Sequence, residues 1–267
     1  MNLPDQHMHT TFSPDASKDA TIESYIALAE KRGVKHLTFT DHADLLTRVD
    51  LFKTIPDFDD FHQKLQSLQA TTDVHLHLGV ELGYQPHAVD AMKALVKKHP
   101  FEFIIMSIHE ADCKDLYGGE FFEDKTPYEA VERYFEIVLE AVQSDAPYDV
   151  FGHLDYIIRY GTPPLYDYAF TKHQVMIDAI LKTIIENGKG IELNTSGLRY
   201  NLKHMHPKNT VLKRYKDLGG SIITLGSDAH DPKDYQASFS LAIEYLKTCG
   251  FEKIALYKKR NPTFIAI

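Results

Sequence analysis

Residues Phe101-Glu102-Phe103-Ile104-Ile105-Met106-Ser107-Ile108-His109 form a short apolar run that stops at a histidine. It is too short for a core helix and shows no polar–apolar alternation, so it reads as a parallel strand buried on both faces. Amphipathic stretches flank it. Residues 127–144 set Val131, Phe135, Val138, Leu139 and Val142 on one helical face, with Thr126 as N-cap, Pro127 in the first turn and Glu129 completing a capping box. Working outward, strand-like runs recur at 3–9, 36–40, 74–82, 101–108, 149–153, 190–194 and 221–226. Helix-like stretches lie between them at 22–31, 58–70, 87–98, 127–144, 172–187, 208–218 and 234–248, the first stopped by Gly33. Seven strand–helix units in series predict an α/β fold built as a closed parallel barrel, although alternation alone fits an open doubly wound sheet as well. Segment 253–267 is short, contains Pro262 and is expected to be an incomplete eighth unit. No repeat, low-complexity tract or linker interrupts the pattern, so residues 1–267 are expected to form a single domain.

Composition narrows the function. The 267 residues are 43% hydrophobic and 25% charged, which excludes a disordered chain, and the length suffices for a core without disulfides. Lys and Arg number 29 against 38 Asp and Glu, a net charge of −9, so no long nucleic acid is expected as a partner. Cys113 and Cys249 are far apart and outside any CxxC pattern, so a reducing compartment is expected. The first residues carry no basic and apolar leader, which predicts a cytoplasmic protein. No apolar run reaches the roughly 18 residues of a membrane span. Oligomeric state is left open. The abnormal feature is 15 histidines against no tryptophan.

The positions of those histidines carry the argument. Strand one ends in His7-Met8-His9, strand two in Thr40-Asp41-His42, strand three in Gly79-Val80-Glu81 and strand four in Ser107-Ile108-His109. Strand five ends in Gly152-His153, and the seventh in Gly226-Ser227-Asp228-Ala229-His230. In parallel α/β folds ligands bind at the carboxyl ends of the strands, so metal-type donors stand where a catalytic site belongs. Residues i and i+2 of a strand share a face, which lets His7 and His9 reach one ion, and Asp228 and His230 too if their strand extends that far. Adding Asp15 gives nine candidate ligands: His7, His9, Asp15, His42, Glu81, His109, His153, Asp228 and His230. Imidazoles and carboxylates without thiolates suit Zn²⁺, Mn²⁺ or Fe. Nine donors suit two or three ions, with a carboxylate such as Glu81 bridging.

The remaining histidines read differently. His75 and His77 share the face of Glu81 but lie earlier on its strand, deep in the barrel or at its bottom. His62, His87, His99 and His173 fall on helix-like segments and are expected to be solvated, and His36 structural. His204 and His206 follow a strand end, which makes His206 a candidate for substrate contact.

These motifs resemble the PHP superfamily of polymerase and histidinol phosphatase domains. His7-Met8-His9-Thr10, Thr40-Asp41-His42, Gly79-Val80-Glu81, Ser107-Ile108-His109, Gly152-His153 and Ser227-Asp228-Ala229-His230 occur in that family's order. The stretches His7 to Asp15, Gly152 to Gly161 and Glu192 to Arg199 resemble its histidinol-phosphate phosphatase branch most. Where some members carry histidine, this chain has Asp15. The resemblance implies a distorted (β/α)7 TIM-like barrel with two or three metal ions at the C-terminal ends of the strands. It also implies three ligand groups: His7, His9, Glu81 and Asp228; Glu81, His109 and His153; and Asp15, His42 and His230.

The activity so implied is metal-dependent hydrolysis of L-histidinol phosphate to L-histidinol and inorganic phosphate, in histidine biosynthesis. A metal-bridging hydroxide would attack phosphorus directly, without a serine or cysteine nucleophile. Asp228 or His230 would relay a proton to the leaving oxygen. Arg159 and Arg199, after strands five and six, would bind the phosphate through their guanidinium forks. The acidic loop 110–126, with Asp112, Asp115, Glu120, Glu123 and Asp124, is where the substrate amine would fall. Rival readings are a PHP-type phosphoesterase for a nucleotide or phosphotyrosine, a metal-dependent amidohydrolase, and a metal-binding protein without catalysis.

Overall fold

A computed structural model describes residues 2–161 and 168–267. In chain order its elements are α1 (Ile22–Arg32), β1 (His36–Phe39), β2 (His42–Ala43), α2 (Phe58–Gln69), β3 (His75–Gly83), α3 (Val89–Lys98), β4 (Phe103–Ser107), β5 (Glu110–Ala111) and β6 (Lys114–Asp115). They continue with α4 (Pro127–Gln143), β7 (Val150–Phe151), α5 (Phe170–Glu186), β8 (Gly190–Asn194), α6 (Ser196–Arg199), α7 (Asn209–Asp217), β9 (Ile223–Gly226), α8 (Phe239–Thr248), β10 (Lys253–Lys258) and β11 (Asn261–Ala266).

The main sheet is parallel in the order β1-β3-β4-β7-β8-β9, with β2 also pairing β3. Its inner strands are buried on both faces, which is why they are apolar runs and not alternating ones. The stretch 3–9 fills the gap between the first and last strands. Met8 O accepts from Thr40 N at 2.9 Å on one side, and His9 N donates to Ala229 O at 2.9 Å on the other. Among the described residues the ring thus closes with seven members, the closed barrel that the strand count predicts and the distorted one that the resemblance implies. The stretch itself is held through single bridges, Asp5 to Leu37 and Met8 to Ala229, where a regular strand was expected.

Helices pack around the ring. α1 is capped by Thr21, whose side chain accepts from Ser24 N, and stops at Gly33 with φ 69°, where a left-handed residue costs glycine little. α4 has the expected capping box between Thr126 and Glu129. α8 begins at Phe239, five residues later than its expected start. Among the described residues no helix is long and apolar enough to cross a membrane.

Two expectations fail in the barrel itself. Residues 253–267 are not an incomplete eighth unit but the antiparallel hairpin β10–β11. Ala255 and Tyr257 pack on Phe103, Ile105 and Val150, and the Gln6 side chain donates to Ala255 O at 2.6 Å and accepts from Tyr257 N at 2.9 Å. The hairpin therefore stoppers the end of the barrel opposite the metal-type donors. Strand β9 stops at Gly226, and Asp228 has φ 54°, so Asp228 and His230 are set by a turn and not by strand alternation. His99 and His173, expected in solvent, are buried; His173 Nδ1 lies 2.6 Å from Glu132. His77 is buried near the stopper, with Nδ1 3.0 Å from Glu102.

Candidate metal centre

The nine donors converge at the open end of the barrel around one buried carboxylate. Glu81 sits near the end of β3, and Ser107 Oγ donates to its Oε1 at 2.6 Å. His153 Nε2 lies 2.8 Å and His109 Nε2 3.4 Å from the same oxygen. The other oxygen, Oε2, is 2.9 Å from His42 Nδ1, 3.3 Å from His7 Nε2 and 3.6 Å from His9 Nε2. Asp228 Oδ1 approaches His9 Nε2 at 3.5 Å and His230 Nδ1 at 3.4 Å. Asp15 Oδ2 lies 3.1 Å from His230 Nε2 and 3.5 Å from His42 Nε2. The rings of His42 and His230 both stack on His9, with centroids at 4.2 and 4.0 Å.

Among the described residues three triads have ligand atoms close enough for one ion: His7, His9 and Glu81; His42, Glu81 and His109; and His9, His42 and His230. They overlap the expected groups but share donors differently, with His42 serving two triads and His153 none. The fit to cations rests on unmet demand. His7 Nε2, His9 Nε2, His42 Nδ1 and Glu81 Oε2 are buried at the focus, close to one another but without a well-aligned hydrogen bond. Burying such atoms unpaired is costly, and a cation satisfies them together.

Electrostatics point the same way. Burial opposes charge on His7 and His42, yet Glu192 and Glu81 beside the first, and Glu81 and Asp15 beside the second, raise both pKa values well above the ordinary range. His109 is driven to about 10: burial opposes it, and Asp44 and Glu81 outweigh burial. Burial pushes the Glu81 carboxyl up, but His7, His109 and His42 hold it well below the usual range. Burial, His230 and His42 depress His9, and burial depresses His153. The pocket therefore draws positive charge, as protons or as metal ions.

A cavity of about 300 Å³ opens above the cluster. Arg159, in the turn Tyr156–Arg159, lines it with its guanidinium 3.4 Å from the Tyr200 ring centre and Nη1 3.5 Å from Asp228 Oδ2. The other two residues expected to touch substrate are placed elsewhere. Arg199 turns its fork onto backbone carbonyls, Ser227 O at 3.1 Å and Asp228 O at 2.7 Å, so it braces the turn that carries Asp228. His206 is fully buried outside the cavity wall, with Nδ1 2.6 Å from Asp155.

Sequence reasoning missed several contributors. Asp44 and Glu192 contact the rings of His109 and His7. A lone glutamate inside the buried strand Gly190–Asn194 was the available signal for Glu192. Tyr156, stacked on His153 at 4.3 Å, and Tyr160 and Tyr200 make an aromatic wall that had no sequence signature.

Comparison with known proteins agrees with this architecture. The family model described as the PHP domain matches residues 5–196. A histidinol-phosphatase from Lactococcus lactis subsp. lactis (strain IL1403) is 30% identical over 96% of this chain and 95% of its own. A probable histidinol-phosphatase from Clostridium acetobutylicum is 28% identical over 96% of this chain and 97% of its own. The crystal structure of a histidinol phosphate phosphatase from Lactococcus lactis subsp. lactis Il1403, complexed with zinc, L-histidinol and phosphate, matches with a TM-score of 0.90 at 28% identity. That match covers 98% of this chain and 99% of the crystallised one. With the barrel, the order of its strand-end donors and the family match all in agreement, this chain belongs to the PHP domain family.

Proposed function

We propose that this chain is a metal-dependent phosphomonoesterase that hydrolyses L-histidinol phosphate to L-histidinol and inorganic phosphate, a step of histidine biosynthesis. The observation that carries the reading is the focus of unpaired imidazole nitrogens on Glu81 beneath a cavity walled by Arg159. The Lactococcus structure, alike over nearly its whole length, holds zinc, L-histidinol and phosphate, and that supports the substrate.

His7, His9, Glu81 and Asp228 would hold one ion, Glu81, His109 and His153 a second, and Asp15, His42 and His230 a third. Divalent ions there supply Lewis acidity toward the phosphoryl oxygens and make hydroxide available near neutral pH. The chain does the rest. Glu81 presents one oxygen to His153 and His109 and the other to His42, His7 and His9, so it ties the subsites together. Arg159 is held over Tyr200, its guanidinium carbon 3.4 Å from the ring centre, and would grip phosphate through its fork. Asp228 and His230, 3.4 Å apart, would relay a proton to the leaving oxygen. Of the acidic loop, Asp115 lines the cavity and suits the substrate amine, whereas Asp112 is engaged by Arg133 at 2.8 Å. Ser107 and Ser196 are committed to Glu81 and Asn194 at 2.6 Å each, which leaves them unsuited to nucleophilic attack.

The test is phosphate release from L-histidinol phosphate, p-nitrophenyl phosphate, AMP and a phosphotyrosine peptide by protein stripped with chelator and reloaded with Zn²⁺ or Mn²⁺. An advantage in kcat/KM of about 100-fold for histidinol phosphate, abolished by stripping, is expected. Faster turnover of another ester would replace the substrate. Metal binding without turnover of any ester would overturn the phosphatase reading.

A further inference from the structure

Two imidazoles of the centre are held from behind by carboxylates outside it, and both are built in the same way. Asp44 Oδ1 lies 2.7 Å from Nδ1 of His109, and Glu192 Oε1 lies 2.7 Å from Nδ1 of His7. In each ring the opposite nitrogen faces Glu81, His109 Nε2 at 3.4 Å and His7 Nε2 at 3.3 Å. Both carboxylates are buried, and among the described residues neither pairs with a lysine or arginine. Glu192 has further partners: its Oε2 accepts from His153 N at 3.0 Å and Asn194 Nδ2 at 3.1 Å.

Each carboxylate also occupies a space that only a glycine leaves. A Cβ on Gly83 would stand 1.9 Å from Asp44 Oδ1, and one on Gly226 would stand 2.1 Å from Glu192 Oε1. Neither glycine has a positive φ, so what each provides is room and not backbone freedom. The two slots lie at the ends of β3 and β9, on different sides of the ring.

We propose that Asp44 over Gly83 and Glu192 over Gly226 are positioning residues that keep His109 and His7 protonated at Nδ1, so that each presents a bare Nε2 to a metal ion. The inference rests on the metal centre proposed above. A neutral imidazole carries one N–H, and an acceptor at Nδ1 decides which nitrogen is left to bind. Loss of such a partner lowers metal affinity by about 10- to 100-fold.

The experiment measures zinc stoichiometry and affinity, by competition with a chromophoric chelator, in the full chain and in Asp44→Ala, Asp44→Asn, Gly83→Ala, Glu192→Ala and Gly226→Ala. Asp44→Ala and Gly83→Ala are expected to weaken one ion by about 10- to 100-fold, and the Glu192 and Gly226 variants a different one. Asp44→Asn, which retains an acceptor oxygen, is expected to recover most of the loss. In zinc-loaded, ¹⁵N-histidine-labelled protein, one ring N–H signal at Nδ1 should vanish in Asp44→Ala and another in Glu192→Ala. Wild-type affinity in all variants, with both ring signals kept, overturns the inference alone. A wild-type chain that binds no zinc overturns the metal centre and the inference with it.

Discussion

Glu81 is the carboxylate at the centre of the candidate site. Five imidazoles reach its two oxygens, and no other carboxylate of the cluster touches as many subsites. Glu81→Gln keeps the shape, removes the charge and leaves an amide N–H₂ facing unpaired ring nitrogens. It is expected to lose at least one bound ion and about 10³-fold in kcat, read by metal content and steady-state kinetics; a loaded, active Gln variant would remove Glu81 from its central place. Arg159→Lys tests the phosphate grip. It keeps charge but loses the planar fork stacked on Tyr200, so KM should rise about 10-fold with a smaller change in kcat. At this scale much was legible: histidines and carboxylates ending successive apolar runs have few structural uses in common. What was not legible was direction. Arg159 and Arg199 have the same side chain after adjacent strands, yet Arg199 finds two carbonyls of the 227–228 turn and Arg159 finds the cavity. That difference is made by the fold of the loops, which no residue spacing encodes.

At the scale of elements, local chemistry separates what could be read from what could not. α4 was readable because its start combines Thr126, Pro127 and Glu129, each with its own local reason to be there. Thr126→Ala should therefore cost about 1 kcal/mol and lower Tm by about 2–4 °C, measured by thermal denaturation. The β10–β11 hairpin was unreadable for the complementary reason. Its two-residue turn, Lys259-Arg260, has φ 48° and 65°, a geometry that ordinarily calls for Asn-Gly. Lysine and arginine carry no turn signal, and left-handed backbone is unfavourable for both. Lys259→Asn is expected to stabilise the protein by about 1 kcal/mol, seen as a higher denaturation midpoint in urea. An unchanged or lower midpoint would mean that the turn is held by its surroundings, among them the bond from Arg260 N to Glu102 O.

The proposed metal centre would couple to the stability of the whole molecule, because its candidate donors come from almost every strand of the ring. An ion bound at the focus would tie the stretch 3–9 to β2, β3 and the loops after β4, β7 and β9, and so act on the closure of the barrel and not on one loop. Protons compete for the same place. In the metal-free fold His7, His42 and His109 hold protons more tightly than the unfolded value of 6.5, because the carboxylates around them outweigh burial. Such raised groups stabilise the metal-free fold fully below pH 6.5, and that contribution is lost as pH rises toward the folded value, about 10 for His109. Metal binding must displace those protons, so metal affinity rises over the same window. His9 and His153, depressed chiefly by burial, are neutral in the fold there; they offset part of the loss near pH 6.5, where the unfolded histidines still hold protons, and less as pH rises further. The two trends oppose each other: the stripped protein should lose Tm from pH 6.5 to 8.5 while the zinc-loaded protein holds or gains. With zinc at roughly 1,000 times its dissociation constant the ion adds about 4 kcal/mol, or about 10 °C in Tm, and this gap should widen with pH. Paired melts of loaded and stripped protein at pH 6, 7 and 8.5 decide it. A gap that stays constant would mean that the imidazoles around Glu81 are neutral before metal arrives, and that the carboxylates do not govern their protonation.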